Sequence, residues 1–346
     1  MRSALLTGLC QLTIKDTPAP AELAPDQVLL RMRSVGVCGS DVHYYSTGRI
    51  GGQVVEYPFT VGHEGAAVVE RVGTSVAGVK PGDRVAVEPA VVCYQCDQCL
   101  AGRENTCRNL QFLGCPGQLE GCLSEFIVMP EKCCLPIPDS MTFTEAALVE
   151  PLAIGLYAAR LAKLTPGARI GIFGLGPIGL SVMLCVKNEE SAKVYGVDPL
   201  DYRCRAAAEH GADWTGNPLE NDVVRQISEA EPLLLDIVFE CCGRQEALDM
   251  SLRLLKPGGR LMIIGIPEFE RYSFQADTAR RHEICLQHVR RQNRCTEETI
   301  DLVAKGDINP NFMATHHFSL EETPKAFEMV EGYRDHVIKA MVDFSG

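Results

Sequence analysis

The run Arg169-Ile170-Gly171-Ile172-Phe173, followed directly by Gly174-Leu175-Gly176-Pro177-Ile178-Gly179, decides the fold of the second half of the chain. The first segment is typical of a short buried strand, and an apolar helix follows the turn. In a G-x-G-x-x-G turn the first glycine permits the tight turn, the second lets a pyrophosphate approach the backbone, and the third lets helix and strand pack closely. The segment therefore predicts a dinucleotide site, with a packing turn that binds no ligand as the alternative.

A carboxylate completes this pattern. Asp198 ends the next predicted strand, nineteen residues after Gly179. A carboxylate there accepts hydrogen bonds from the ribose hydroxyls and repels a 2′-phosphate, so it predicts NAD rather than NADP as the cofactor. Arg203 follows five residues later and is either a residue that lines the adenine or an exposed helix residue.

Strands continue to alternate with helices after this turn. Apolar runs at 193–197, 236–240 and 260–266 are separated by helical segments such as 202–209 and 245–255. This alternation predicts an α/β domain with a doubly wound parallel sheet, which we place over residues 154–286.

The first 150 residues have a different pattern, that of short strands rather than of alternating strands and helices. Short β-branched or alternating runs at 27–32, 66–71, 84–87 and 125–128 are separated by turn residues, and the first long helical period covers 143–164. After residue 286 the pattern is mixed again and ends in a predicted strand over 336–342. We therefore expect a β-rich domain over 1–153 that residues 287–346 return to complete.

Composition narrows the classes of function. Thirty-three Lys and Arg against forty-five Asp and Glu give a net charge of −12, which disfavours binding to nucleic acid or to an anionic membrane. No run of eighteen apolar residues occurs, and the first thirty residues lack the apolar block of a signal peptide, so we expect a cytoplasmic protein. In a reducing compartment the sixteen cysteines indicate metal ligands or buried thiols rather than disulfides.

Four of these cysteines form a C-x2-C-x2-C-x7-C array: Cys93, Cys96, Cys99 and Cys107. Two-residue gaps let successive thiolates converge on one ion, and four thiolates fill the tetrahedral shell of zinc and leave no open position. The array therefore predicts a structural zinc site. An iron–sulfur cluster is the competing metal group, and reduced core cysteines are the alternative without metal.

A second set of ligand types predicts an open metal site. Cys38, His63 and Glu64 supply three ligands, and Glu150 offers a second carboxylate that binds directly, through water, or only while another ligand is absent. A catalytic zinc needs about three protein ligands and one vacant position, where it lowers the pKa of a bound alcohol. Ser40 and His43 lie at a spacing that would let them pass the alcohol proton to solvent.

Together these residues resemble the zinc-containing medium-chain alcohol dehydrogenases, and within them the sorbitol (polyol) dehydrogenase branch. The likeness extends to further segments: 36–41, Tyr44, 48–51, 62–64, 81–85, Glu150-Pro151 and 257–259. It implies a GroES-like catalytic domain, a Rossmann NAD-binding domain with the active site between them, and a homo-oligomer that is a dimer or a tetramer. It also favours zinc over an iron–sulfur cluster, and implies two zinc ions per subunit.

The resemblance assigns roles residue by residue. Cys38, His63 and Glu64 resemble the family's catalytic zinc ligands, Glu150 its further carboxylate, and Ser40 its proton-relay hydroxyl. Tyr44 and Arg290 match positions that contact polyol hydroxyls or the zinc-bound water. Two departures stand out. Arg291 replaces a residue that is commonly aromatic, and the chain keeps the four-cysteine segment that animal sorbitol dehydrogenases typically lack.

We therefore expect an oxidoreductase that uses zinc and NAD to oxidise a secondary hydroxyl of a polyol such as sorbitol or xylitol to the ketose. An L-threonine 3-dehydrogenase would share the zinc ligands. A polyol-phosphate dehydrogenase would use basic residues near the pocket, for which Arg290, Arg291 and Arg294 are candidates. A non-catalytic nucleotide-binding protein is the alternative outside the enzymes.

Overall fold

A computed structural model describes residues 1–188 and 192–345 of the chain. They divide into two compact units. Unit 1 comprises Met1–Glu150, Thr296–Gly306 and Pro310–Gly346, and unit 2 comprises Pro151–Cys295 and Asp307–Asn309. Among the described residues, no helix combines the length and the apolar character needed to cross a bilayer.

The strands and helices follow one another along the chain in this order: β1 (Arg2–Gly8), β2 (Gln11–Asp16), β3 (Gln27–Gly36), α1 (Gly39–Thr47), β4 (Arg49–Ile50), β5 (Gln53–Val54), β6 (Phe59–Thr60), β7 (Glu64–Val72), β8 (Arg84–Val87), β9 (Ala90–Val91), α2 (Asp97–Leu100), β10 (Gln111–Phe112), β11 (Phe126–Pro130), β12 (Cys134–Pro136), α3 (Phe143–Ala162), β13 (Arg169–Phe173), α4 (Pro177–Asn188), β14 (Lys193–Val197), α5 (Asp201–Glu209), β15 (Trp214–Gly216), α6 (Val223–Ala230), β16 (Leu235–Glu240), α7 (Gln245–Leu254), β17 (Leu255–Ile263), α8 (Ala276–Arg281), β18 (Cys285–His288), α9 (Thr296–Lys305), β19 (Ala314–Ser319), α10 (Thr323–Glu331) and β20 (Lys339–Asp343).

Unit 1 is built around β3, the long central strand of a seven-stranded sheet. The order is β12-β8-β7-β3-β20-β19, and β11 pairs with the first half of β3. The C-terminal strand β20 pairs antiparallel with the last residues of β3, which is how the end of the chain returns to the first unit. The core of this unit is fully buried and includes Leu30, Met32, Leu123, Met129 and Phe327.

Unit 2 is built on a six-stranded parallel sheet with the order β15-β14-β13-β16-β17-β18. Counted from its own first strand, this order is 3-2-1-4-5-6, that of doubly wound dinucleotide-binding sheets. Such sheets bind ligands at the carboxyl ends of the strands where the order reverses, here between β13 and β16. The predicted fold class is confirmed.

The structure differs from the predicted domain bounds of 153/154 and 286/287. The first boundary falls inside α3, between Glu150 and Pro151, and the second lies after Cys295. Residues 287–295 stay with unit 2 because β18 pairs in parallel with β17 along its whole length. The β-rich unit therefore resumes only at Thr296, the first residue of α9.

Two predicted strands have different ends in the structure. The strand expected over 260–266 ends at Ile263, because the next two N–H groups, of Ile264 and Gly265, both donate to the Glu240 carbonyl. The strand expected over 336–342 begins at Lys339, because His336 has a φ of 58° and lies in a 3-10 turn. A residue in the left-handed region cannot continue an extended strand.

Candidate functional site

The four predicted cysteines of the closed site converge in unit 1, on either side of α2. Their sulfur atoms lie within 4.8 Å of one another, with Sγ–Sγ distances of 3.6 Å (Cys96 to Cys99), 3.9 Å (Cys96 to Cys107) and 3.5 Å (Cys107 to Cys93). Tetrahedral zinc with bonds of about 2.3 Å needs sulfur separations of about 3.8 Å. The observed separations fit that ion.

Backbone groups favour the thiolate form of part of this cluster. A hydrogen bond from the backbone N–H of Gln95 lowers the pKa of Cys93 to about 6, and backbone N–H groups also lower the pKa of Cys96. Burial acts in the opposite direction on Cys99 and raises its pKa to about 12. Since metal ligands must be deprotonated, a bound cation would supply the charge that stabilises the Cys99 thiolate.

The three predicted ligands of the open site also converge in unit 1. One ligand atom each from Cys38, His63 and Glu64 lies within 4.8 Å of the others. Cys38 precedes α1 and Glu64 opens β7, so neighbouring segments of the fold present all three. Thiolate, imidazole and carboxylate are the donor types that zinc prefers, and three of them leave a fourth position for substrate.

Asp41 holds two of these ligand segments in place, and it was missed by the sequence analysis. Its side chain is fully buried on α1. One carboxylate oxygen accepts from the backbone N–H of Cys38 at 3.1 Å, and the other lies 3.1 Å from the Gly62 nitrogen and 3.3 Å from Nδ1 of His63. A carboxylate on Nδ1 fixes the ring so that Nε2 carries the lone pair for a metal.

Burial lowers the pKa of the His63 ring, but the neighbouring Asp41 and Cys38 raise it well above its ordinary value. The pocket therefore favours a positive charge at this place. A zinc ion would supply that charge instead of the ring proton, so metal binding should release a proton.

Lys339 is the second missed residue. It lies at the start of β20 with its side chain 1% exposed, and its Nζ is 2.7 Å from each oxygen of Glu64 and 3.1 Å from the Val37 carbonyl. Burial lowers the pKa of Lys339, but Glu64 and Cys38 raise it overall, so the side chain is charged. The buried Glu64 carboxylate therefore has a fixed counter-charge. The signal available in the sequence was a lysine inside an otherwise apolar C-terminal run.

Glu150 is buried in the same unit, and charged residues of the same cluster shift the pKa of its carboxyl group. Burial raises its pKa to about 7, with Glu64 and Glu88 adding to the rise and His63 and Lys339 opposing it. The geometry does not include Glu150 among the converged ligands of the open site. Its contact with the metal, direct or through water, stays a prediction, and a pKa of about 7 lets its carboxyl group take or give a proton near neutral pH.

The three remaining predicted residues of unit 1 all lie on α1, a helix that the sequence analysis did not predict. Ser40 donates from Oγ to Cys38 Sγ at 3.3 Å, and its role in proton transfer stays a prediction. His43 follows one turn later and is half-buried. Tyr44 is buried, and its hydroxyl donates to Gln53 Oε1 at 3.2 Å.

The predicted dinucleotide loop joins β13 to α4 at the point where the strand order reverses. Gly174 has a φ of +93°, which a residue with a side chain rarely adopts, and a Cβ at Gly179 would collide with the Gly174 carbonyl oxygen. A Cβ at Gly176 would lie 3.3 Å from Nη1 of Arg203. Pro177 and Ile178 open the helix, whose N-terminus faces the turn. This cradle fits a pyrophosphate.

Asp198 ties this loop to the adjoining strand. Its two oxygens accept from the backbone nitrogens of Leu175 at 2.7 Å and Leu200 at 2.9 Å, and Nη1 of Arg203 lies 3.8 Å away. Burial raises the pKa of Asp198. Each oxygen retains a second lone pair for a ribose hydroxyl. Asp198 and Arg203 thus lie next to each other beside the glycine turn.

The predicted substrate residue Arg290 lies in unit 2, in the segment that follows β18. Arg291 and Arg294 in the same segment have φ values of 52° and 55°. Non-glycine residues in this region of φ are uncommon and cluster where function constrains the backbone. The contact of Arg290 with a polyol stays a prediction.

Comparison with known proteins identifies the family. Residues 24–139 match the family model of the alcohol dehydrogenase GroES-like domain, and residues 177–305 match that of the zinc-binding dehydrogenases. A sorbitol dehydrogenase of Bacillus subtilis is 35% identical over 99% of this chain and 97% of its own length. A probable D-xylulose reductase A of Aspergillus fumigatus is 32% identical over 95% of this chain and 93% of its own.

A solved structure gives the same result for the fold. The crystal structure of an Escherichia coli oxidoreductase/dehydrogenase of unknown specificity superposes with a TM-score of 0.94 and 31% identity, covering 100% of this chain and 99% of that one. Likeness at this level over the full length of the chain extends to both units. The chain is therefore an enzyme that belongs to the zinc-containing medium-chain alcohol dehydrogenases, in the sorbitol dehydrogenase branch.

Proposed function

We propose that the protein oxidises a secondary hydroxyl of a polyol such as sorbitol or xylitol to the ketose, with NAD as hydride acceptor. The observation that carries this proposal is the convergence of half-buried Cys38 with buried His63 and Glu64 in one cluster. The names of the Bacillus and Aspergillus relatives support a polyol as substrate. When bound, zinc lowers the pKa of an alcohol and the nicotinamide accepts hydride, so the protein needs no nucleophile of its own.

The protein's own residues orient and neutralise this site. We propose that Cys38, His63 and Glu64 hold the catalytic zinc and that Cys93, Cys96, Cys99 and Cys107 hold a structural one, so that each subunit binds two. Asp41 orients the His63 ring, because an oxygen of the Asp41 carboxylate lies 3.3 Å from the ring's Nδ1. Lys339 gives the Glu64 carboxylate a fixed positive partner through two contacts of 2.7 Å. Two preorganised ligands lower the cost of assembling the site.

The proton of the alcohol needs an acceptor within the protein. We propose Glu150 for this step, because burial places its pKa at about 7 and lets it exchange a proton at working pH. Ser40 and His43 on α1 are the further candidates, with Ser40 held by its contact to Cys38 Sγ. Tyr44 and Arg290 are proposed to bind the other hydroxyls of the polyol.

Asp198 supports a preference for NAD over NADP. Its carboxylate is fixed by two backbone N–H groups beside the turn at Gly174 and Gly176, where a 2′-phosphate would meet its charge. Arg203 partly neutralises that charge from 3.8 Å, which predicts a preference of degree rather than complete exclusion. We further propose a cytoplasmic homo-oligomer, a dimer or a tetramer, which size-exclusion chromatography with light scattering would test.

Steady-state assays of the zinc-loaded enzyme test the function. The panel should contain sorbitol, xylitol, inositols, L-threonine, a polyol phosphate and simple secondary alcohols, each with NAD and with NADP. We expect the highest kcat/KM for a neutral polyol with NAD. A higher kcat/KM for threonine or for a polyol phosphate would contradict the substrate assignment, and inactivity with every polyol would contradict the proposal as a whole.

A further inference from the structure

Glu240 is the last residue of β16, and its side chain is fully buried within unit 2. One carboxylate oxygen, Oε1, accepts from the backbone N–H of Cys242 at 2.8 Å and of Gly243 at 2.6 Å. The backbone carbonyl of Glu240 accepts from the N–H of Ile264 at 2.8 Å and of Gly265 at 3.0 Å. One residue therefore holds both the turn that follows β16 and the turn that follows β17.

These two turns pack directly on each other and on the glycine turn that follows β13. A Cβ at Gly265 would lie 2.1 Å from the Gly243 nitrogen and 2.8 Å from Oε2 of Glu240. A Cβ at Gly174 would lie 2.8 Å from the Cβ of Cys242. The ends of β13, β16 and β17 are thus packed without room for a further side chain at these contacts.

The place of the turns in the sheet connects them with the cofactor. The strand order reverses between β13 and β16, and each half of such a sheet binds one nucleotide of a dinucleotide. The first half carries the glycine turn and Asp198, which we propose for the adenosine ribose. The second half is left for the nicotinamide nucleotide, and the turns after β16 and β17 lie at the carboxyl ends of its strands.

A buried carboxylate at this place calls for a physical reason. Moving a charge out of water costs free energy, and an apolar side chain would fill the same volume without that cost. What the carboxylate adds is a pair of charge-assisted hydrogen bonds to the turn after β16. That turn contains Gly243 with a φ of 67°, and a glycine has more conformational freedom than any other residue. Glu240 therefore restrains a turn that would otherwise be loose.

We propose that Glu240 is a positioning residue for the nicotinamide half of the cofactor: it fixes the turns at 241–243 and 264–265 in the shape that receives this nucleotide. The inference rests on the proposed hydride transfer to a nicotinamide dinucleotide, but not on which alcohol is oxidised. Glu240 touches no reacting atom and acts through the backbone of the two turns. A restraint that exists before binding lowers the conformational entropy that is lost when the cofactor binds.

The test measures the Kd of NADH, NADPH and 5′-AMP by calorimetry, for the zinc-loaded wild type and for Glu240→Leu. Leucine keeps a side chain of similar size and removes the acceptor. We expect the Kd of both dinucleotides to rise by the same factor, roughly tenfold, which is the lower end for the loss of a hydrogen bond to a charged group. The Kd of AMP, which occupies only the adenosine half, should stay within about twofold.

Three further variants separate positioning from folding. Glu240→Gln keeps an acceptor for both N–H groups, so its Kd for NADH should stay within about threefold of wild type. Glu240→Asp is shorter by one methylene group, which draws the acceptor away from the turn, so an intermediate rise should appear even if Glu240→Leu does not fold. Asp236→Leu is the matched control, because Asp236 lies near the other end of β16, where its carboxylate accepts from the Arg169 N–H at 2.7 Å. It should lower Tm and leave the Kd of NADH unchanged.

The outcomes are distinct. A wild-type Kd for NADH in Glu240→Leu or, if that variant does not fold, in Glu240→Asp would overturn the role of Glu240. An equal rise in the Kd of NADH and of AMP, or a rise in Asp236→Leu as large as in Glu240→Leu, would overturn it too, because each indicates a general loss of structure. A wild-type enzyme that binds neither NADH nor NADPH would instead overturn the proposed function. A rise that is confined to the two dinucleotides and absent from Glu240→Gln would establish the inference.

Discussion

Replacing Lys339 with methionine tests how the buried charge of Glu64 is maintained. Lys339→Met keeps most of the aliphatic side chain and removes the ammonium group, whose Nζ lies 2.7 Å from both Glu64 oxygens. The two side chains are 1% and 0% exposed, so water cannot replace the lost partner without rearrangement. Removing one member of a buried ion pair typically costs 3–5 kcal/mol, about the same range expected here.

The loss comes from the Glu64 carboxylate, because burial penalises a charge that has no partner. It should therefore be about 3–5 kcal/mol at pH 7 in the zinc-free protein. Zinc at Glu64 supplies a new positive partner, so the loss should be smaller in the zinc-loaded protein.

The assay is urea unfolding of zinc-free and zinc-loaded protein at pH 7, followed by circular dichroism. Lys325→Met is the matched control in the same unit, because Lys325 forms an exposed ion pair with Glu322 at 3.2 Å and its loss should cost less than about 1 kcal/mol. Adding Glu64→Gln to Lys339→Met should recover part of the loss. Equal effects of Lys339→Met and Lys325→Met, or no recovery in the double variant, would show that Lys339 does not stabilise the buried Glu64 carboxylate.

Three other expectations concern separate parts of the molecule. Cys99→Ser should lower the zinc content measured by atomic emission by one ion per subunit and lower Tm, with little change in the KM for polyol; full zinc content would contradict the closed site. Asp198→Ala should reduce the ratio of kcat/KM for NAD to that for NADP by roughly tenfold, about 1.4 kcal/mol, and an unchanged ratio would remove the assigned role of that carboxylate. Burial raises the pKa of Glu231, but hydrogen bonds from Tyr195, Lys193 and Arg169 lower it overall. The Glu231 carboxylate therefore stabilises the folded protein at pH values above its unfolded-state pKa. This stabilisation is lost as the pH falls through the pKa that Glu231 has in the folded protein. Glu231→Gln should flatten the decline in unfolding free energy between about pH 5 and pH 3, and a decline as steep as in wild type would contradict this.

The convergence of the proposed ligand residues could be predicted from the sequence because their chemistry is local and their spacing is short. Cys93 to Cys107 span one loop, and His63 and Glu64 are adjacent, so residue type and order carried most of the information. The glycine turn could also be predicted from the sequence, because the backbone at Gly174 has a positive φ and the close packing at Gly179 leaves no room for a side chain.

The residues that hold the ligands could not be predicted in this way. Lys339 contacts Glu64 across 275 positions of sequence, and the pairing depends on β20 joining β3. Asp41 lies only three residues after Cys38, but its second contact, to His63, requires the folded segment. Partners of this kind depend on tertiary pairing, which periodicity in one segment does not report.

The elements of the fold likewise include some that the sequence predicts and some that it does not. Buried strands such as β8, β13 and β14 have the bounds that their apolar runs predict. Helix α1 was not predicted because polar residues and two tyrosines give it no clear apolar stripe, and it is stabilised instead by the Asp41 contact to the Cys38 N–H at its start and by Gly48 at its end.

The visible spectrum of the cobalt-substituted enzyme, recorded during a titration with xylitol in the presence of NAD, tests directly whether Cys38, His63 and Glu64 hold the metal that meets the substrate. Cobalt(II) takes the tetrahedral sites of zinc, and its absorption reports a change at the site that meets the substrate. We expect a polyol-dependent spectral change that Cys38→Ser abolishes and Cys99→Ser retains. A spectrum that no polyol alters, or a change that persists in Cys38→Ser, would contradict it.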